Sequence, residues 1–157
     1  MPDKIRWTET SGNSLRQLKH ALLSKPCLYP PDQDKCFHLF TDASQSSIGS
    51  WLGQQDEKGD MHPIAFASCK LSNHQLNWPI IHKELYAVVW SVEHFRYLLY
   101  GNEIHLYSDH RPLQWLHSLS THSPRLARWS LLLQDQHITP HFIKGSDNVV
   151  ADCLSRI

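Results

Sequence analysis

Phe37-His38-Leu39-Phe40-Thr41-Asp42-Ala43-Ser44 is the stretch from which the rest of the chain can be read. From Cys36 to Phe40, apolar and polar residues alternate, the period-2 pattern of a strand with one face against a core. The strand then delivers Asp42, followed by small residues, so a carboxylate is held by a rigid element beside a buried layer. Taken alone, Asp42 reads as a turn residue, because Asp is common where strands end. A metal ligand is the other reading, and it depends on what the rest of the chain supplies.

Downstream, Ser47–Gln54 alternates again, with Ile48, Ser50 and Leu52 set against Gly49, Trp51 and Gly53. Its glycines predict close backbone approach or a bulge. A polar turn around Gly59 leads to a third strand over Met61–Ser68, with Ile64 and Phe66 on one face and Pro63 at an edge or bulge. Strands joined in this way predict an antiparallel meander. Ser72–Pro79 reads as a polar loop. It opens the clearest helix, Ile80 to Leu99, whose apolar stripe is Ile81, Leu85, Val88, Val92, Phe95 and Leu99. Glu84 borders that stripe, while Lys83, Trp90, His94 and Tyr97 fall on the face expected to meet water. A carboxylate at such a border is costly unless it is paired, metal-bound or partly exposed.

Gly101-Asn102 stops the helix. Glu103–Asp109 alternates as a strand and, like the first, finishes on an aspartate. Pro112–His117 reads as a short helix, and Ser123-Pro124 as N-cap and first residue of a helix to Gln136. His137–Ile143 is the last strand. After the turn Lys144-Gly145-Ser146, either Ser146 or Asp147 can cap a final short helix holding Val149, Val150 and Leu154, with Asp152 inside it. This order predicts an α/β fold, a mixed sheet of five strands with the first three antiparallel and helices on its faces. Upstream, Ser11 or Asn13 can cap a helix running to Leu23, and Pro26, Pro30 and Pro31 then make a linker.

A chain of 157 residues is long enough for one cored domain with an appendage. No apolar run approaches the ~20 residues of a membrane span, and the opening MPDKIRWTET lacks a charged-then-apolar signal pattern. Lys+Arg and Asp+Glu are 15 each, so a nucleic-acid contact has to come from a local patch or from outside this chain. Cys27, Cys36, Cys69 and Cys153 form no CxxC pair, which predicts free thiols in a reducing, intracellular setting. Among 12 histidines, His137 and His141 flank Pro140 and cannot share a helix face as a zinc pair, so solvated or structural roles are expected.

Asp42 and Asp109 end strands, Glu84 opens the long helix, and Asp152 lies near the start of the last one. Crossover packing can gather such positions at one edge of a sheet. Clustered carboxylates cannot all stay ionised without cations, and hard oxygen ligands favour magnesium or manganese. Two such ions about 4 Å apart can clamp the attacking and leaving oxygens of a phosphodiester.

The stretches FTDASQSSIGSWLGQ, HPIAFASCKLS, HKELYAVVWSVEHFRYLLYG, YSDHRPLQWL, RLARWSLLLQ and GSDNVVADCLSR, in this order, resemble the ribonuclease H domain of gypsy-type LTR retrotransposon polyproteins. The resemblance spans Phe37 to Arg156. The preceding RWTETSGNSLRQLKHALLSKPCLYPPD is similar to the stretch that joins the polymerase and connection region to this domain. Residues 1–35 would then be a tail of that region and 36–157 the ribonuclease H domain. The resemblance implies hydrolysis of the RNA strand of RNA/DNA hybrids, two Mg2+ ions that Mn2+ can replace, and the rest of the reverse transcriptase polyprotein as partner. It also implies a cytoplasmic setting within virus-like particles.

By the same resemblance Asp42 would bridge both metals. Asp152 would help hold the ion that activates water, and Glu84 and Asp109 the ion on the leaving-group side, giving 3′-hydroxyl and 5′-phosphate ends. Relatives with a His-bearing loop before the last carboxylate differ here, because only Lys144-Gly145-Ser146-Asp147-Asn148 precedes VVAD. No basic protrusion is present. Asp147 reads as a helix cap rather than a ligand. Candidate substrate contacts are Ser44, Gln45, Ser46 and Ser47 toward 2′-hydroxyls, and Lys70, Arg111, Arg125, Arg128 and Lys144 toward phosphates; a solvated role is the alternative for each. Trp51, Trp78, Trp90 and Trp115 read as core or interface residues. Two non-enzymatic readings stand beside the nuclease: a connection-like structural module, which would characteristically lack the carboxylates, and a host-domesticated interaction domain.

Overall fold

The computed structural model describes residues 8–24, 28–110 and 124–156. Helix α1 covers Glu9–Ser24, then β1 Phe37–Ala43, β2 Ser47–Gln55 and β3 Met61–Lys70 follow. After them come α2 Asn73–Leu76, α3 Ile80–His94, α4 Arg96–Leu99, β4 Glu103–Ser108, α5 Pro124–Gln134, β5 His137–Phe142 and α6 Val149–Leu154. The sheet order is β3-β2-β1-β4-β5. β1, β2 and β3 pair antiparallel, whereas β4 joins β1 and β5 joins β4 in parallel. The expected five-stranded mixed sheet is therefore present, with β1 at its centre.

The core lies between the sheet and α3. Phe37, Leu39, Leu52, Ile104 and Leu106 meet Leu85, Val88 and Val92 there, and Leu126, Trp129 and Leu133 of α5 close its flank. Each fully buried Leu or Ile contributes about 1.5–3 kcal/mol, so the α3 stripe anchors the helix firmly. The register between β2 and β3 shifts at Leu52/Gly53, where the pairing skips Ile64. Both the bulge and the edge position expected from Gly53 and Pro63 are thus realised. The bulge also separates Ile64 from Phe66: Ile64 is buried, while Phe66 is 45 % exposed and leans on Trp51 across the other face.

Several local expectations are corrected. Thr8, not Ser11 or Asn13, caps α1, its Oγ1 accepting from Ser11 N at 3.1 Å. Ser72–Pro79 is not all loop, because Ser72 and Gln75 form a capping box that starts α2. The long helix breaks at Phe95, whose φ of -94° and ψ of 13° leave helical geometry, so that Phe95 itself can plug the core at 2 % exposure. Lys83 does not face water: it is buried, and its Nζ donates to the Gln45 carbonyl at 2.8 Å. Trp90 packs against the core, which agrees with its reading as a core or interface residue and not with its helical phase. Asp147 lies in a 3-10 turn over Gly145–Asp147, and the residue at the N-cap of α6 is Asn148. Arg111, the helix expected over Pro112–His117, Trp115, the Ser123 cap and Cys27 lie outside the described residues.

The sheet face opposite α3 carries a stack of rings. Trp51 lies on Phe40 at 4.3 Å and Phe40 on Tyr107 at 4.5 Å. His38, His105 and His141 continue it, with His105 Nδ1 and His141 Nε2 2.8 Å apart. His141 therefore has a partner in the ring stack. Cys36, Cys69 and Cys153 are free thiols. Among the described residues no helix is long and apolar enough to cross a membrane.

Candidate active site

Asp42 is the penultimate residue of β1, and Asp109 directly follows β4, its parallel neighbour. Glu84 stands in the second turn of α3. Ligand oxygens of these three carboxylates all lie within 4.8 Å of one another. Strand ends and a helix start meet because α3 crosses the sheet directly over β1. Asp42 is 7 % and Glu84 4 % exposed, so the partly exposed alternative for Glu84 does not hold.

The electrostatics follow from that burial. Desolvation pushes the Glu84 carboxyl up to about 9, with Asp42 and Asp109 adding to the rise against one bond from the Ala43 backbone N–H. Asp42 is also raised, first by burial, then by Asp109 and Asp152, while a hydrogen bond from Ser155 and the charge of Arg156 pull the other way. Glu84 Oε2 is buried and has no hydrogen-bond partner among the described residues. An orphaned carboxylate oxygen inside an oxygen-rich, mutually repelling set is what a hard divalent cation would satisfy, so the residues fit such an ion.

Asp152 sits beside this trio rather than within it. Its Oδ1 accepts from Arg156 Nε at 2.8 Å, and its charge still contributes to raising Asp42. Helix α6, which carries it, has only six residues and is held by tertiary contacts. Ser155 Oγ donates to Asp42 Oδ2 at 2.6 Å, and Ser68 Oγ to the Leu154 carbonyl at 2.8 Å. Ser47 Oγ donates to the Ser155 carbonyl, and Asn148 Nδ2 to the Thr41 carbonyl at 2.9 Å. Gly49, paired with Asp42 in the ladder, makes room for the helix backbone itself. Gly145 likewise lies against Asp109, where a Cβ would come 3.0 Å from Oδ2.

The other expected site residues are spread more widely. Ser44 Oγ accepts from Ser46 N at 3.2 Å and Ser47 N at 3.0 Å, which holds the β1–β2 turn. Gln45 and Ser46 are exposed on that turn, and buried Lys83 grips it from below. Lys144 is exposed just before the 3-10 turn, and Lys70 is exposed at the end of β3. Arg125 stacks over Trp78 with its Cζ 4.2 Å from the ring centroid. Ser155, Asn148 and Lys83 are the functional neighbours that sequence reading missed. A serine or asparagine near a chain end carries no periodic signal, and Lys83 was placed by helical phase on the wet side.

The raised carboxyls have a measurable consequence without any cation. A carboxyl whose folded pKa exceeds its unfolded value stabilises the fold below the unfolded value, and that stability is lost as pH rises through the folded one. For Glu84 the loss runs from about 4.5 up to about 9. Glu84→Gln is therefore expected to raise the melting temperature in chelator at pH 8 but hardly at pH 5. An equal effect at both pH values would show that Glu84 is not held protonated.

The family described as RNase H-like domain found in reverse transcriptase matches residues 32–136. The Retrovirus-related Pol polyprotein from transposon 297 of Drosophila melanogaster is 42% identical over 92% of this chain. That from transposon 412 is 37% identical over 98% of it, and the Transposon Tf2-3 polyprotein of Schizosaccharomyces pombe 35% over 97%. This chain spans only 12–13% of the length of those polyproteins. Among solved structures, the foamy viral protease-reverse transcriptase in complex with RNA/DNA hybrid matches with a TM-score of 0.58 and 24% identity, over 90% of this chain and 20% of that one. RNase H1 from Halobacterium salinarum matches with a TM-score of 0.57 and 18% identity, over 75% of this chain and 92% of that one, a likeness of fold. The chain belongs to the RNase H-like domains of reverse transcriptases, in the group found in retrotransposon Pol polyproteins.

Proposed function

We propose that this domain is an endoribonuclease that hydrolyses the RNA strand of RNA/DNA hybrids during reverse transcription, with Mg2+ as cofactor and Mn2+ as a substitute. The convergence of Asp42, Glu84 and Asp109 from three separate elements carries this reading. These residues would hold the metal, with Asp152 completing the set beside Asp42. When bound there, the metal supplies Lewis acidity and lowers the pKa of water. The protein's own part is to place the carboxylates. Ser155 fixes one oxygen of Asp42, α3 presents Glu84 out of solvent, and Lys83 secures the turn that follows Asp42. Residues 1–35 would lead in from the connection region, and 36–157 would act beside the polymerase within the same polyprotein, in cytoplasmic virus-like particles. A purely structural module has no use for a buried trio of repelling carboxylates, which disfavours that alternative.

The test uses end-labelled RNA/DNA hybrid, duplex RNA and duplex DNA, with Mg2+ or chelator, and Asp109→Asn as control. Cleavage of the hybrid alone, only with Mg2+ and only by the native chain, is expected. Native protein that binds hybrid and Mg2+ without ever cutting would sink the reading in favour of an interaction module.

A further inference from the structure

Helix α6 ends in two donors that already occupy the carboxylates on one side of the site. Ser155 is fully buried, and its Oγ donates to Asp42 Oδ2 at 2.6 Å. Arg156, the next residue, donates to Asp152 Oδ1 through Nε at 2.8 Å and through Nη2 as well. An exposed carboxylate–arginine pair one helical turn apart is ordinarily a minor surface contact. This one differs in where its charge reaches. Burial raises the Asp42 carboxyl and Asp109 and Asp152 add to it, while the Ser155 hydrogen bond and then the charge of Arg156 pull it down. The Arg156 guanidinium is raised in turn, first by its bond to Asp152 and then by the charges of Asp152 and Asp42. Among the described residues no lysine or arginine stands within ion-pair distance of Asp42, Glu84 or Asp109.

The carboxylate that Arg156 takes is also the one that stands outside the trio. Asp42, Glu84 and Asp109 gather their oxygens within 4.8 Å, and Asp152 is not among them. The two donors differ in freedom as well. Ser155 is enclosed, with its carbonyl held by Ser47 Oγ, whereas the Arg156 side chain is 69 % exposed and can swing into water without disturbing a packed layer. Asp42 thus keeps a fixed partner, and Asp152 has a removable one.

We propose that Arg156 is a positioning residue that grades two divalent-cation sites. By holding Asp152 it leaves the trio as the stronger site, and Asp152 becomes available to a second cation only when the guanidinium swings away. This role rests on the metal-dependent reading given above and deepens it by naming the weaker side and its competitor. A guanidinium and a divalent cation repel each other and seek the same carboxylate oxygen, so the Arg156–Asp152 pair and occupation of the weaker site exclude one another. Arg156 acts through Asp152 and takes no part in bond breaking.

Titration of the 157-residue chain with Mn2+, read by the electron-spin signal of the free ion at low salt and without nucleic acid, tests this apart from turnover. Two classes of bound Mn2+ are expected. Arg156→Gln is expected to tighten the weaker class about three- to fivefold, the scale of one exposed charge pair, and the stronger class less. The same variant should melt below the native chain in chelator, because Asp42 and Asp152 lose their counter-charge, and should recover as Mn2+ is added. Near-native melting with Mn2+ present would show that it is folded. Arg156→Lys, which keeps the charge, should stay close to the native chain in both measurements. Asp152→Asn should remove the weaker class, and adding Arg156→Gln should not restore it. A single bound Mn2+ in both the native chain and Arg156→Gln overturns the proposal, as does an unchanged or weakened second class, or an equal change in both. Two graded classes in a native chain that never cuts hybrid would instead remove the nuclease reading and leave the role of Arg156 standing.

Discussion

Asp42→Asn is expected to abolish the proposed hybrid cleavage, by at least about 1,000-fold or about 4 kcal/mol of transition-state stabilisation, while the domain stays folded. The first half of this expectation follows from position. Asp42 is the residue through which β1 reaches both Glu84 and Asp109, and it is the acceptor for the Ser155 hydroxyl. An amide keeps the shape but loses the charge that a divalent cation needs. The second half follows from repulsion. Burial and the neighbouring Asp109 and Asp152 already penalise a charge at Asp42, so a neutral isostere relieves the fold. The melting temperature in chelator should be equal to or above that of the native chain, and the rise caused by added Mg2+ should vanish. Cleavage that persists in a folded Asp42→Asn protein would place the metal elsewhere.

Gly49→Val is expected to separate α6 from the sheet. A Cβ at this position would lie within 2.6 Å of Ser155 N, Ala151 O and Leu154 C, all of them backbone atoms of the α6 region. Backbone held by hydrogen bonds from Ser47 and Ser68, with Asn148 at the helix start tied to the Thr41 carbonyl, cannot yield as a flexible side chain would. Overpacking of this kind costs about 3 kcal/mol, which for a domain of this size is a fall of about 10 °C in melting temperature. The displaced helix takes Asp152 and Ser155 away from Asp42, so the proposed cleavage should drop about 10- to 100-fold, as for lost support of a metal site. Retained stability and activity would mean that α6 does not need the close approach at Gly49.

These two residues show different degrees of legibility. Asp42 was visible because its strand alternates and because Glu84, Asp109 and Asp152 recur at matched element ends within recognisable motifs. Gly49 was marked only as a place of close approach or bulge, and the structure separates the two: Gly49 receives the helix, while the bulge lies at Gly53 and Ile64. Helical phase placed Glu84 at a border and Lys83 in water. Both are buried, because a wheel knows the helix axis but not the β1–β2 turn that folds over its first residues. Asp147 looked like a cap by spacing, yet Asn148 takes the cap position and donates across to Thr41. Arg125 is one of several like cations in the sequence, and only the tertiary structure stacks it on Trp78.

The amino-acid sequence by itself determined the succession of the five strands, the meander, the apolar stripe of α3 and the carboxylates to look for, because each is carried by local periodicity or by motif. Only the tertiary structure decided which carboxylates share one site, how strongly they repel, and what holds them. Those properties depend on burial and on contacts between residues far apart in the chain, such as Ser155 with Asp42 and Asn148 with Thr41. Asp42 is where the two meet: its residue type is written in the strand, and its raised carboxyl comes from the helices that close over it.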